Sequence, residues 1–229
     1  HLELGDVGIF RELMRNVELA EKDENALFDL IQQKSVASLK VQAGQLGLPA
    51  KLCEQLVTLP TLCGTSAIIE DALELFSGAA QIEARLENLA KLYGAITDRF
   101  ENIDVYFDLS ELRGYGYHTG IVFAGYIEGE RQCIAKGGRY DDVGEVFGRA
   151  RSATGFDMDA KALLGVVDFN QKEGKRVLAK PANNSATEKS RWKKAAELRK
   201  EGYIVLESLA EGQSCDLELT NKDGEWRLS

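Results

Sequence analysis

Residues 112–120 read LRGYGYHTG, and the apolar run IVFAGYI follows at once at residues 121–127. The nine-residue stretch holds one arginine, two tyrosines, one histidine and three glycines, a composition typical of a segment that lines a binding pocket. Glycines let the backbone come close to a ligand, while arginine and ring hydroxyls supply directional polar contacts. We predict a strand over residues 117–127, paired through a short turn with a second strand over residues 131–136, which a glycine pair at residues 137–138 ends.

The three glycines of this stretch do not form a dinucleotide-binding loop. Gly114, Gly116 and Gly120 have the wrong spacing for one, and a predicted strand follows them instead of a helix. A phosphate cradle depends on the N–H groups at a helix N-terminus, which this segment lacks. The alternative to a pocket is a glycine-rich bend with exposed polar side chains, and the segment alone leaves both interpretations open.

A helical block interrupts the predicted sheet on its N-terminal side. The opening residues HLELG alternate as a strand does, and Asp6 is a good N-cap for a helix over residues 7–17. Apolar residues then recur at steps of three and four to about residue 100. Strands are also predicted at residues 103–109 and 153–158, and a helix at residues 159–169. The fold class is therefore α+β, a mainly antiparallel sheet with a helical insertion, and not an alternating α/β sheet.

The sequence predicts two domains. Residues 1–169 form the first, with the helical insertion at about residues 20–100, and residues 175–229 form a small C-terminal α/β unit after the polar linker NQKEGK. The small unit is predicted to end in a hairpin that turns at Lys222-Asp223-Gly224. Because a chain seldom begins inside its own sheet, we expect an N-terminal part to precede residue 1 in the whole protein.

Composition excludes several classes of function. The formal net charge is −9, and a chain this acidic repels phosphate backbones, so no nucleic-acid partner is expected. No apolar run approaches the ~18 to 20 residues that span a bilayer, so no membrane partner is expected. The four cysteines have long, irregular spacings unlike a zinc site, and we expect reduced thiols in a cytoplasmic protein with no metal and no cofactor.

Two further segments accompany the first. AKGGRYDD at residues 135–142 follows the strand that pairs with the first segment, so both are expected to face one cleft, and GFDMDAKALL at residues 155–164 runs from a strand into a helix. In this order the three segments resemble the signature of histidyl-tRNA synthetases and their relatives, whose pattern has Arg-Gly-x-x-Tyr-Tyr, then Gly-Gly-Arg-Tyr-Asp, then the third class II motif. The resemblance implies a class II aminoacyl-tRNA synthetase-like fold, incomplete here. It also implies a histidine pocket lined by Arg113, Tyr117, His118, Gly137, Gly138 and Tyr140, with an imidazole at position 118 where the pattern has a tyrosine.

The third segment departs from the synthetase pattern. Synthetases read roughly Gly-Phe-Ala-Met-Gly-Leu-Glu-Arg-Leu there, with an arginine that grips ATP, whereas Ala162 stands at that position here. Asp157 and Asp159 add negative charge where the family holds phosphate. Because charge-assisted contacts are among the stronger hydrogen bonds to phosphate, adenylate formation is not expected, and no catalytic residue is predicted.

These departures make the chain similar to the regulatory subunits of short-form, hetero-oligomeric ATP phosphoribosyltransferases. The opening LGDVGIF, the leucine-rich helical insertion and the ending HTG of the first segment carry this likeness. It implies a non-catalytic subunit that binds the catalytic subunit, serves the first step of L-histidine biosynthesis, and makes that step sensitive to L-histidine as effector. It also implies self-association through the missing N-terminal part.

Two alternatives remain open at the level of sequence. One is a fragment of a divergent histidine-tRNA ligase, against which Ala162 is the main argument. The other is a histidine-sensing binding module without influence on catalysis. The sequence also leaves open whether the inhibitory histidine binds in this pocket or at a subunit interface.

Overall fold

The computed structural model describes residues 1–100, 102–129, 132–144, 148–166, 174–182, 184–208, 215–222 and 224–229. These residues fall into two compact units. The first comprises residues 1–95 and 102–166, and the second comprises residues 96–101 and 167–229. The predicted linker at residues 170–175 and the turn at Asp223 lie wholly or mainly outside the described residues.

The first unit combines a sheet with a block of helices, which confirms the predicted α+β class. Its elements are β1 (Leu2–Asp6), α1 (Gly8–Met14), α2 (Glu21–Gln32), α3 (Val36–Gln45), α4 (Ala50–Thr58), β2 (Cys63–Gly64), α5 (Ile68–Leu75), α6 (Ala80–Arg99), β3 (Val105–Asp108), β4 (Ile121–Gly125), β5 (Ala135–Tyr140), β6 (Ala153–Met158) and α7 (Ala160–Val166). The final turn of α6, from Ile96, belongs to the second unit.

The six strands of the first unit form one sheet in the order β2-β3-β1-β4-β5-β6. Strands β1 and β3 are parallel neighbours, and the other four strand pairs of the sheet are antiparallel among the described residues. Parallel neighbours need a long crossover connection, and the helical block between β1 and β3 supplies it. The predicted helical insertion is therefore the crossover of a parallel strand pair.

Strand β5 differs from its prediction. It begins at Ala135 and continues to Tyr140, so the glycine pair Gly137 and Gly138, predicted to end a strand, lies inside one. A Cβ atom on Gly137 would stand 2.3 Å from the carbonyl oxygen of Gly155 on the neighbouring strand β6. The pair is therefore a site of close backbone approach and not a break.

The second unit is a four-stranded sheet with one helix. Its elements are β7 (Arg176–Ala179), α8 (Ser185–Lys200), β8 (Ile204–Glu207), β9 (Leu217–Lys222) and β10 (Glu225–Leu228), with the strands in the order β10-β9-β7-β8. A reciprocal capping box between Asn184 and Thr187 starts α8, and Trp226 Nε1 donates to the Thr187 carbonyl at 3.2 Å. Arg99, from the final turn of α6, stacks on the Trp192 ring with 3.5 Å between Cζ and the ring centroid.

A buried ion pair joins β1 to the helical block. Asp6, only 3 % exposed, accepts the Gly8 N–H at 2.8 Å and the Arg85 Nη1–H at 3.1 Å. The Arg85 guanidinium lies against the backbone of Gly8, where a Cβ atom would stand 2.1 Å from Cζ. Burial raises the pKa of Asp6, and the charge of Arg85 opposes that rise. Asp6 therefore anchors the start of α1, but Val7 and not Asp6 occupies the N-cap position, and the helix runs only from Gly8 to Met14, so the predicted N-cap and the predicted length were wrong.

Replacing Arg85 with Met is expected to lower the free energy of unfolding by about 3 kcal/mol, because it leaves the Asp6 carboxylate buried without a cation. Adding Asp6→Asn to the same chain should recover much of that loss, since the amide oxygen still accepts the Gly8 N–H without a charge. The single variant should also regain stability as pH falls, because a carboxyl with a raised pKa takes up a proton in the folded state.

Urea unfolding at about pH 7 and about pH 5 measures these effects. The control is Lys91→Met on the same helix, whose ion pair with Glu87 is exposed and spans 3.9 Å. Equal losses in the two methionine variants would contradict a special role for the buried pair.

Candidate functional site

A cavity of about 580 Å³ opens on one face of the six-stranded sheet. Five of the six residues predicted to line a pocket lie around it: Arg113, Tyr117, His118, Gly137 and Tyr140. Glu3 and Glu111, which the sequence did not single out, lie there too, as do Lys136 and Phe156 from the second and third segments, which were not named as pocket residues. The cavity thus brings together side chains from β1, β4, β5 and β6 and from the loop before β4, while Gly138 does not line it.

The strand register explains which residues meet. Glu3, Ala124, Lys136 and Asp157 form one row across β1, β4, β5 and β6. The next row on the same face consists of Gly5, Val122, Gly138 and Gly155. Since residues i and i+2 of a strand share a face, the charged row forms one side of the cavity, and Gly5, Val122 and Gly155 of the second row form its floor.

Two glycines make room for the His118 ring. A Cβ atom on Gly138 would stand 2.7 Å from His118 Cδ2, and one on Gly114 would stand 2.5 Å from His118 Nδ1. Gly114 also has a φ of +71°, which favours glycine. The imidazole therefore lies over Gly138, which explains why Gly138 supports the site without lining it.

The Nδ1 atom of His118 is buried and has no hydrogen-bond partner among the described residues. The ring of Tyr117 stands perpendicular to the His118 ring at 5.3 Å and lies 4.8 Å from the ring of Tyr140. Three rings therefore form an aromatic wall with polar tips.

Gly155 fixes the position of Tyr140. A Cβ atom on Gly155 would stand 2.4 Å from the Tyr140 hydroxyl oxygen and 3.2 Å from Cζ. The tyrosine ring therefore crosses onto β6, and any larger residue at position 155 would displace its hydroxyl. The glycines of the second and third segments, at residues 135–142 and 155–164, thus make room for aromatic rings and not for a phosphate.

Acidic groups outnumber basic ones in the cavity. Glu3, Glu111 and Asp157 face Arg113 and Lys136, which leaves one net negative charge. Lys136 Nζ lies 3.9 Å from an Asp157 oxygen. Burial raises the pKa of Glu3, and the Arg113 charge opposes that rise. A polyphosphate would meet a net negative field in this cavity.

The start of α7 is closed to anions by the chain itself. The Asp159 carboxylate accepts the backbone N–H groups of Lys161 and Ala162 at 2.9 and 3.0 Å. These are the groups that would otherwise attract a phosphate oxygen. Ala162, at the position where the synthetase pattern has arginine, supplies no cation.

Other site chemistries find no support in the part of the chain that the structure describes. That part holds no cluster of three or more His, Cys, Asp or Glu residues arranged to bind a metal ion. All four cysteines are unpaired and half-buried. Among the described helices, none has the length and apolar character needed to cross a membrane.

Comparison with known proteins shows the family. The family model for histidyl-tRNA synthetase matches residues 1–163. This chain belongs to the histidyl-tRNA synthetase family. This confirms the resemblance inferred from the segments at residues 112–120, 135–142 and 155–164, and it confirms the class II synthetase-like fold.

Two similar relatives within the family carry the same description. The chain is 40 % identical over its whole length to an "ATP phosphoribosyltransferase regulatory subunit" of Ectopseudomonas mendocina, of which it covers 59 %. It is 38 % identical, again over its whole length, to a protein of the same description from Pseudomonas aeruginosa, of which it also covers 59 %. The chain therefore spans about 59 % of the length of these curated relatives.

Solved structures in the family share the fold. A protein of Bacillus halodurans described as an ATP phosphoribosyltransferase regulatory subunit/histidyl-tRNA synthetase is 26 % identical, with a TM-score of 0.61 over 93 % of this chain and 55 % of that one. A chain of the ATP phosphoribosyl transferase (HisG:HisZ) complex from Thermotoga maritima is 16 % identical, with a TM-score of 0.51 over 69 % of this chain and 52 % of that one. At that identity the second likeness concerns the fold alone.

Replacing Gly138 with Ala is expected to destabilise the first unit by about 1–3 kcal/mol and to displace the His118 ring, because the new methyl group overlaps Cδ2. Denaturant unfolding measures the first effect, and the chemical shifts of the His118 ring measure the second. Gly125→Ala is the matched control on the neighbouring strand β4, where a Cβ atom would meet its nearest neighbour at an ordinary 3.7 Å. Unchanged His118 shifts in the Gly138 variant would contradict the supporting role of this glycine.

Proposed function

We propose that this chain acts as a non-catalytic regulatory subunit of ATP phosphoribosyltransferase, which catalyses the first step of L-histidine biosynthesis. The observation that carries the proposal is the 40 % identity over the whole chain to a curated relative of that description. The geometry supports it, since the cavity keeps an aromatic wall and paired charges while the start of α7 is filled by Asp159. In this proposal the chain is cytoplasmic and forms a hetero-oligomer with the catalytic subunit.

L-histidine is the proposed effector, and the cavity is its proposed site. An α-amino acid with an imidazole side chain matches the cavity in kind, because the lining offers carboxylates for an ammonium group, an arginine for a carboxylate, and tyrosine and histidine side chains for a polar ring. Feedback requires that histidine bind two states of the complex unequally, and a coupling of about 1–3 kcal/mol suffices for useful inhibition. Self-association stays a prediction of the family resemblance.

Adding the purified chain to the catalytic subunit of the same organism is expected to raise its ATP phosphoribosyltransferase rate and to make that rate sensitive to L-histidine. Tyr140→Ala should keep the activation and lose the sensitivity, because it removes a wall of the cavity but leaves the outer surface intact. Lys222→Ala, an exposed change in the second unit, serves as the control. A rate that the chain leaves unchanged in a stable complex would favour a histidine-sensing module, and ATP–pyrophosphate exchange by the chain would favour a divergent ligase.

Binding is tested separately by thermal unfolding of the chain with L-histidine. A ligand that binds only the folded state stabilises that state by about 2.7 kcal/mol when its concentration is ~100 times its dissociation constant. The midpoint temperature of unfolding should therefore rise with L-histidine. D-histidine and ATP are the ligand controls, and Tyr140→Ala is the protein control. A rise with ATP, or an equal rise in the Tyr140 variant, would contradict the proposed effector pocket.

A further inference from the structure

Glu111 holds Arg113 in a fixed geometry. One carboxylate oxygen of Glu111 accepts the Arg113 backbone N–H at 2.7 Å, and the other accepts the Arg113 Nε–H at 2.8 Å. The Glu111 side chain is only 16 % exposed, whereas Arg113 is 53 % exposed. The anchoring group is therefore the buried one, and the guanidinium it holds faces the open cavity.

One edge of the Arg113 guanidinium is occupied within the protein. Nη2 lies 2.7 Å from Glu111 and donates to Glu3 at 3.0 Å, and the Tyr126 hydroxyl lies 3.5 Å away. Nη1 donates to no side chain or backbone atom of the described residues. A planar guanidinium that is gripped along its Nε and Nη2 edge can offer a ligand only the remaining Nη1 corner.

We infer that Glu111 is a positioning residue, which fixes Arg113 so that Nη1 meets the carboxylate of an amino-acid ligand. This inference rests on the proposed function for the identity of the ligand. Glu111 does not touch the ligand's carboxylate itself, because like charges repel. Glu3 accepts from the same Nη2 atom, and its carboxylate lines the cavity, where it would meet a ligand's ammonium group.

Glu111→Gln is the informative variant, since it retains the oxygen that accepts the Arg113 backbone N–H. Its amide NH₂ group cannot accept from Nε, so the guanidinium loses its anchor while the loop keeps its backbone contact. The matched control is Glu225→Gln, which breaks another glutamate–arginine pair two residues apart, at 2.7 Å to Arg227 in the second unit. The Arg113 Nε–H signal in ¹H–¹⁵N spectra reports the anchor without any ligand.

In the parent chain this N–H is expected to exchange slowly, and in Glu111→Gln about tenfold faster or more, as follows from losing one hydrogen bond between charged groups. Calorimetric titration then compares L-histidine with histamine, which lacks the carboxylate. Glu111→Gln should raise the dissociation constant of L-histidine by about tenfold or more and leave that of histamine unchanged. Arg113→Ala should have the same effect on both ligands. The Glu225 variant should change none of these quantities.

The outcomes separate this inference from the proposed function. An unchanged Nε–H exchange rate in Glu111→Gln would overturn the inference, as would an equal loss of affinity for histamine and L-histidine, which a merely structural role produces. If Nε–H exchange rises in the variant but the parent chain takes up neither ligand, the positioning of Arg113 stands and the proposed effector pocket is overturned.

Discussion

The buried contact between Asp6 and Arg85 is the interaction on which the first unit depends. It ties the end of β1 and the first turn of α1 to α6, so the helical crossover is fixed against the strand it starts from. Arg85 Nη1 also lies 3.5 Å from the carbonyl oxygen of Thr119, next to His118. A single cation thus joins the crossover, the central strand and the loop that forms the cavity, and removing it leaves a carboxylate in a place where water cannot compensate.

The glycines of the segments at residues 112–120, 135–142 and 155–164 have two different structural roles. In β5 and β6 it lets neighbouring strands carry aromatic rings flat over their backbones, as Tyr140 does over Gly155. In the loop before β4 it permits the left-handed turn at Gly114 that brings His118 over the floor. Both uses bring backbone and ring together, and neither exposes N–H groups to a phosphate, so the segments form a cavity walled by aromatic rings and not a nucleotide loop.

Much of the fold follows from the local sequence pattern, and the predictions that fail concern features that depend on how strands pair. The prediction for residues 153–158 coincides with β6, and the predicted helices and strands recur in order in the first unit. The exceptions are the short strand β2, which was not predicted, and β4, which covers only Ile121–Gly125 of the predicted residues 117–127. The predicted break at Gly137 was wrong because glycine's low strand preference says nothing of an adjacent backbone that excludes a side chain. Glu3, Lys136 and Asp157 meet only through the register of four strands, which no local pattern in one strand encodes.

The charges of the site support the proposal that this synthetase-like fold keeps a ligand cavity without nucleotide chemistry. The row of Glu3, Lys136 and Asp157 pairs its cation internally, and Asp159 satisfies the N–H groups at the start of α7. A phosphate entering there would have to displace a carboxylate already bonded to those groups, and it would find alanine where a cation is needed. A zwitterion carries its own compensating charges and meets no such repulsion, which is the physical basis for proposing an amino acid as the ligand of this cavity.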